Sequence, residues 1–418
     1  AKERGAQGQE FDQLEQTLNE LDEKVDVTSL SKDASIQTQL KPQEPPQEML
    51  QPLLNLYAQG QLQQALAKTA QILKKFPNAS VLYNIHGVIS AGLRQTSIAI
   101  ESYKQALKIK PDYAEAYFNM GNAFKDKDDL DATIYSYKQA INIKPDYADA
   151  YYNMGSVFKK KGQLDDAIES YKQALKIKPN DAGAYFNMGN LFKDKDDLEA
   201  AIESYKQAIK IKPNYAEVHY SMGVSLHDRG DLEAAVDSYK EAIEIKPKYA
   251  EAHNNMGNIL NEKSDQYAAL ENYKQAIEIK PEYAEAHYNM GNILNEIGDP
   301  DAAIESYKQA IEIKPDYAEA HHNIGIILND KGDQDAAIES YNQAIKIKPG
   351  YADAFINMGI SLKGQGKKEE AIEAYNNAIS IKPDNAATYR NMSILKKYKI
   401  HDKQIAQMQI LYQDESIS

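Results

Sequence analysis

Ten of the fifteen prolines in this chain stand 34 residues apart, at Pro77, Pro111, Pro145, Pro179, Pro213, Pro247, Pro281, Pro315, Pro349 and Pro383. A fixed interval of this kind leaves few folds open. Each interval must be one supersecondary unit, and stacked neighbours must bury what a single unit exposes. Other residues keep the same beat. Alanine stands five residues before each proline from Ala106 to Ala378, tyrosine eight before from Tyr103 to Tyr375, and glycine ten after from Gly87 to Gly359.

The stretch Ala148 to Asp181 shows how the pattern makes structure. Tyr151, Met154, Val157 and Phe158 recur at helical spacing before the polar turn Lys160-Lys161-Gly162-Gln163. Leu164, Ala167, Ile168, Tyr171, Ala174, Leu175 and Ile177 then recur in the same way until Pro179 ends the run. Each unit is therefore expected to be a helical hairpin. Gly155 is expected opposite Ala167, letting the two backbones approach, with Ala174 doing the same toward the next unit. Tyr171 and Phe158 fill the space between.

The period, the hairpin unit and the small, aromatic and proline positions together resemble the tetratricopeptide repeat (TPR) family over about residues 46 to 400. The resemblance implies an all-α, right-handed superhelical solenoid whose concave wall is lined by the first helix of every hairpin. Units from Ala114 to Asn385 match closely. The unit at 46–79 is degenerate, with Leu53 in the glycine position and Ile72 in the alanine position. The unit starting at Ala386 has only its first helix, with Ser393 in the glycine position. Such departures fit caps at the ends of an array. Near-copies such as Phe118-Asn119-Met120-Gly121-Asn122 and Phe186-Asn187-Met188-Gly189-Asn190 alternate, which suggests duplication of a two-unit block.

Three regions follow: a tail at 1–45, the array of ten units at 46–385, and a capping helix with a junction at 386–418. Within the tail, Phe11, Leu14, Leu18, Leu21 and Val25 fall on one stripe of a helix of about four turns. A glutamine- and proline-rich linker, Gln37 to Pro52, follows. Such a helix is marginal alone and needs a surface to lie on. The stretch from Tyr389 to Tyr412 resembles the junction that follows the repeats in bacterial proteins carrying a C-terminal sulfotransferase domain. No sulfonate-donor loop follows it before Ser418, so the resemblance gives this chain no activity and leaves it at most a recruiting arm. The first residue is Ala1, which reads as processing or as a piece of something longer.

Composition narrows the partners. The formal net charge is -14, so the chain is not expected to seek nucleic acid or anionic lipid. With no cysteine there is neither a disulfide framework nor a thiolate metal site, and the redox compartment stays open. No run approaches the roughly 20 apolar residues that span a bilayer. The compartment is read as cytoplasmic by default, or extracellular if the chain is a filament subunit.

The residues most suited to binding are asparagines at the sixth position of the unit: Asn119, Asn153, Asn187, Asn255, Asn289, Asn323, Asn357 and Asn391. Packed helices lie about 8–10 Å apart, and an extended peptide advances about 3.3 Å per residue. One amide would thus meet about every third residue of a threaded strand. An amide both donates and accepts, so it can pair with any backbone. This row resembles the asparagine ladder of O-linked N-acetylglucosamine transferases, which implies a grip on substrate polypeptides. Ile85 and Ser221 break it. The alternative is that these asparagines simply solvate the wall. Beside them stand Phe118, Tyr152, Phe186, Tyr220 and Tyr288 at the fifth position, and Asn122, Asn190, Asn258 and Asn292 at the ninth. Aromatic faces beside amides suit peptides and also sugars, or are packing residues.

Other constellations point elsewhere. Another subfamily clamps chaperone C-terminal carboxylates with basic residues, but here the second position is acidic in most units (Glu115, Asp149, Glu217, Glu251, Glu285, Glu319 and Asp353), which would repel a carboxylate. His219, His253, His287 and His321 come one per unit, too far apart for ligands that must each lie about 2 Å from one ion. They take the place of Tyr117, Tyr151 and Tyr185, so packing is expected of them. No phosphate loop, zinc-protease or dinucleotide motif is present, and no cofactor is expected. Gly364-Gln-Gly366-Lys367-Lys368 falls in a hairpin turn. Asn78 and Asn391 head short glycosylation sequons.

Two readings of function remain open. The chain is a non-catalytic scaffold that receives a protein or peptide in its groove. Alternatively it is a structural subunit whose Phe11–Val25 stripe docks on the end of another copy, a head-to-tail contact that grows a filament unless it closes.

Overall fold

The computed structural model describes residues 44–396 together with 405, 407 and 408, and among them every regular element is an α-helix. Two compact units divide the chain, Ala1–Lys195 and Asp196–Ser418. The described part of the first contains α1 (Gln47–Ala58), α2 (Leu62–Leu73), α3 (Ser80–Gly92), α4 (Thr96–Ile109), α5 (Ala114–Asp126), α6 (Leu130–Ile143), α7 (Ala148–Lys160), α8 (Leu164–Ile177) and α9 (Ala182–Asp194). The second contains α10 (Leu198–Ile211), α11 (Ala216–Asp228), α12 (Leu232–Ile245), α13 (Ala250–Glu262), α14 (Gln266–Ile279), α15 (Ala284–Glu296) and α16 (Pro300–Ile313). It continues with α17 (Ala318–Asp330), α18 (Gln334–Ile347), α19 (Ala352–Gly364), α20 (Lys368–Ile381) and α21 (Ala386–Ser393).

Local chemistry sets the ends of these helices. Several second helices begin where an aspartate carboxylate accepts a backbone N–H three residues on, as Asp265 does from Ala268 and Asp333 from Ala336. From α4 onward they stop two residues before the periodic proline, whose ring and missing N–H prevent continuation. The hairpin turn needs a left-handed residue, supplied by Gly162 at φ 72° and by Asp128 and Ser264 at the same place in their units. Inside each compact unit the two helices of a hairpin pack on each other, and the second packs on the first helix of the following hairpin.

A glycine–tyrosine pair is the centre of the hairpins α3–α4, α5–α6 and α7–α8 in the first unit and of those from α11–α12 to α19–α20 in the second. Tyr137, Tyr205, Tyr239 and Tyr375 are fully buried, and the other tyrosines of this position are nearly so. A Cβ on Gly291 would lie 2.6 Å from the Tyr307 ring, and one on Gly121 2.7 Å from Tyr137. The glycine therefore makes room for the aromatic ring of the second helix. At Gly155 the same space is bounded by both Tyr171 and the Ala167 carbonyl. Fully burying such a ring is worth about 1.5–3 kcal/mol, which is why the pair recurs.

The first hairpin solves the same packing problem with different residues. Its glycine position holds Leu53, fully buried against Ile72, Ala79 and Leu82, while its tyrosine position holds the small, buried Thr69. The large side chain has moved from the second helix to the first. At the other end, Tyr389 and Met392 of α21 close the core around Tyr375 and Leu362, with Met408 against the same cluster.

Candidate functional site

First helices of neighbouring hairpins touch: α3 meets α5 in the first unit, and in the second α11 meets α13, α13 meets α15, and α17 meets α19. Each unit thus has its own wall of first helices, and the sixth-position asparagines stand half-buried on it.

Their amides reach backward along the wall. In the first unit Asn119 Nδ2 donates to Asn84 Oδ1 at 3.0 Å, Asn153 to Asn122 Oδ1 at 3.2 Å and Asn187 to the Tyr152 hydroxyl at 2.9 Å. In the second, Asn255 donates to the Tyr220 hydroxyl at 3.1 Å, and Asn289 to Asn254 Oδ1 at 3.2 Å and Asn258 Oδ1 at 3.1 Å. Asn323 donates to Asn292 Oδ1 at 3.1 Å and the Tyr288 hydroxyl at 3.3 Å, and Asn357 lies 2.9 Å from His322 Nε2. Asn391 is half-buried on α21.

The ninth-position asparagines are the other half of this network. Asn122, Asn258 and Asn292 accept from the buried Tyr137, Tyr273 and Tyr307 hydroxyls at 2.6, 2.8 and 2.7 Å, and then from the next rung. Ser156 takes that place for Tyr171 at 2.9 Å. Asn190 is half-buried at the same position. A buried phenol without a partner is costly, so the ninth-position amide satisfies it and passes the bonding to the following hairpin.

Fifth-position aromatics lie between two tyrosines. The Tyr288 ring is 5.7 Å from Tyr307 of its own hairpin and stacks at 4.8 Å on Tyr317, which precedes the next. Tyr220 stands likewise between Tyr239 and Tyr249, and Phe118 between Tyr137 and Tyr147. Tyr152 meets Tyr171 edge-on at 5.4 Å, and Phe186 is half-buried. His322 takes the same position between Tyr341 and Tyr351.

One feature of the wall escaped the sequence reading. At Lys246, Lys280 and Lys348 the lysine before the periodic proline joins the second-position acid of its own unit to the tyrosine that opens the next. Lys348 lies 2.9 Å from Glu319 and 4.8 Å over the Tyr351 ring, and Lys280 lies 3.1 Å from Glu251 and 4.6 Å over Tyr283. The Lys348 hydrogen bond holds the Glu319 carboxyl below the usual range, while burial and the neighbouring Glu319 push Tyr351 up to about 12. Lysine and tyrosine recur at the same 34-residue interval, so the signal was present. What it lacked was the fold that brings residues 29 positions apart together.

Two of the fourth-position histidines, His219 and His287, are buried. His219 and His287 place Nε2 at 2.9 and 3.0 Å from the carbonyls of Pro213 and Pro281. Among the described residues, no group of three or more His, Asp or Glu side chains could hold a metal ion, and no helix is long and apolar enough to cross a membrane. The stripe Phe11, Leu14, Leu18, Leu21 and Val25 lies outside the described residues. The wall offers amides, hydroxyls and aromatic faces arranged at one repeat spacing, a chemistry of hydrogen bonding and stacking.

Eight overlapping stretches between residues 95 and 366 match the family model described as TPR repeat, and residues 352–385 match the one described as tetratricopeptide repeat. The chain belongs to the tetratricopeptide repeat family. This TPR chain is 34% identical over 79 residues to a protein of Arabidopsis thaliana named probable UDP-N-acetylglucosamine–peptide N-acetylglucosaminyltransferase SEC. The matched stretch is 19% of this chain and spans only 8% of that protein. Among solved structures, the TPR array is similar to YrrB, described as a TPR protein with an unusual peptide-binding site, at 26% identity and a TM-score of 0.41, covering 46% of this chain and 100% of that one. It is also similar to MamA, at 30% identity and a TM-score of 0.38, covering 40% of this chain and 97% of the other.

Proposed function

We propose that the chain is a non-catalytic scaffold that holds an extended polypeptide along the wall of its first helices. The observation that carries this reading is the row of half-buried asparagines, one on the first helix of most hairpins, held by its own hydrogen-bond network and flanked by aromatic rings. A row of side chains held in place before a ligand arrives loses little freedom on binding, which favours affinity. The likeness to a peptide-modifying transferase over 79 residues lends support. The test is capture of random peptides by the full chain and by Asn255→Ala/Asn289→Ala/Asn323→Ala/Asn357→Ala, with helix content checked in parallel. Binding that survives all four changes in a folded variant sinks the reading.

Self-assembly has one observation in its favour: Met49, Leu54 and Tyr57 of the first hairpin expose 37%, 49% and 42% of their surface. Light scattering and negative-stain microscopy with and without residues 1–45 separate the two. Long oligomers lost on truncation make the chain a structural subunit, and a monomer in both cases leaves the wall as the functional surface.

A further inference from the structure

The first unit's wall does not begin with an amide. A step of 31 residues joins the sixth position of one first helix to the ninth of the helix before it, as Asn153 reaches Asn122 and Asn289 reaches Asn258. In the same register Ile85 of α3 follows Leu54 of α1, an apolar rung in place of a polar one. Ile85 packs with Leu50 and Val81 against the cluster of Leu53 and Leu82. Tyr57 comes close to the end of α3 where the side chain is smallest, since a Cβ on Gly92 would lie 3.9 Å from its ring. Val81, Ile85 and Val88 are half-buried, and Leu54 and Tyr57 are exposed. An apolar patch therefore opens a wall whose later rungs are amides.

We propose that the apolar stripe of the tail, Phe11, Leu14, Leu18, Leu21 and Val25, lies on this patch of its own chain and closes that end of the wall. An amphipathic helix laid in an apolar groove is held by anchors at helical spacing, which the stripe supplies. Residues 26–43 separate the stripe from the start of the array. Extended, they span up to about 60 Å, far more than the spacing of about 8–10 Å between packed helices. Charge fits as well. The stripe is flanked by Glu15, Glu20, Asp22 and Glu23, and the helices α5, α7, α11 and α13 carry acids at their second position that would repel them. At that position α1 and α3 carry Gln47 and Val81 instead. A second copy offers the same stripe, but a tethered segment acts at an effective concentration on the order of mM, so at micromolar chain the tail fills its own patch first. The surface that would join copies is then covered from within, and the chain stays monomeric. This holds whatever the rest of the wall binds.

The chain has no cysteine, so spin labels go only where cysteines are introduced. Thr17→Cys and Gln51→Cys in the full chain carry a pair of nitroxides, whose separation is read by pulsed electron–electron double resonance. The expected result is one short, narrow distance that persists when the labelled chain is diluted into an excess of unlabelled chain. It broadens when Leu14→Gln, Leu18→Gln and Leu21→Gln are added, changes that lie outside the array. In that triple variant without labels, amide hydrogens of α3 should exchange about tenfold faster or more, with those of α7 unchanged. A short distance that disappears on dilution assigns the stripe to a second copy. A broad distribution with and without the three glutamines leaves the patch to another partner. Either result overturns the proposal.

Discussion

Asn323 donates its side-chain amide to the Asn292 carboxamide oxygen, 3.1 Å away on the preceding first helix, and that oxygen already accepts from the buried Tyr307 hydroxyl at 2.7 Å. One oxygen thus joins the second helix of its own hairpin to the first helix of the next. The bond between hairpins is polar at its centre as well as apolar around it.

Replacing Asn323 by aspartate places an acceptor where a donor is needed. Asn323→Ala leaves Asn292 served by Tyr307 and costs about 1 kcal/mol, whereas Asn323→Asp costs about 1–3 kcal/mol because two oxygens then face each other. Urea denaturation of the two variants measures the difference. Equal midpoints for wild type and Asn323→Asp would show that the amide is turned the other way.

Tyr375 tests the same network where it is incomplete. Ile360 occupies the ninth position of that hairpin, and the Tyr375 hydroxyl is buried without a partner. Tyr375→Phe is therefore expected to be neutral or slightly stabilising, while Tyr273→Phe, which removes the bond to Asn258, costs about 1 kcal/mol. Chemical denaturation of both single variants decides it.

Room for the tyrosine ring is the reason for the repeated glycine. Gly291→Ala forces a methyl group to 2.6 Å from the Tyr307 ring and is expected to cost about 1–3 kcal/mol. Gly350→Ala meets nothing within 4 Å and changes stability little. Adding Tyr307→Val to Gly291→Ala should recover part of the loss, a coupling that a double-mutant cycle reads directly.

His322 makes stability depend on pH. Burial lowers its pKa from the ordinary value of 6.5, with Asp353 and Glu319 opposing, and its Nε2 accepts from Asn357 only when unprotonated. A folded value below the unfolded one means that the stabilisation is complete above about pH 6.5 and is lost as pH falls toward the folded value, where the unfolded chain binds more protons. His322→Phe should flatten the melting temperature between pH 7 and pH 5. His86 and His321 are lowered by burial as well, so a reduced slope remains.

Sequence by itself determined the repeat, the hairpin within it and the faces that are buried. Those follow from local periodicity, proline termini and the volume of residues a few positions apart, as with Leu164, Ala167 and Tyr171. It also marked the asparagine row, because a polar residue at a fixed place on a first helix must lie on one wall. Only the tertiary structure decided what those asparagines do. Asn289 meets Asn258, 31 residues earlier, and Asn254, 35 earlier, and which end of the amide faces them depends on how one hairpin stacks on the last. The bridging role of Lys348 between Glu319 and Tyr351 was hidden for the same reason. Thr69 and Leu53 look like simple losses of tyrosine and glycine until packing shows that together they fill the same volume. Periodicity is a property of neighbours along the chain, whereas hydrogen-bond direction belongs to neighbours in space.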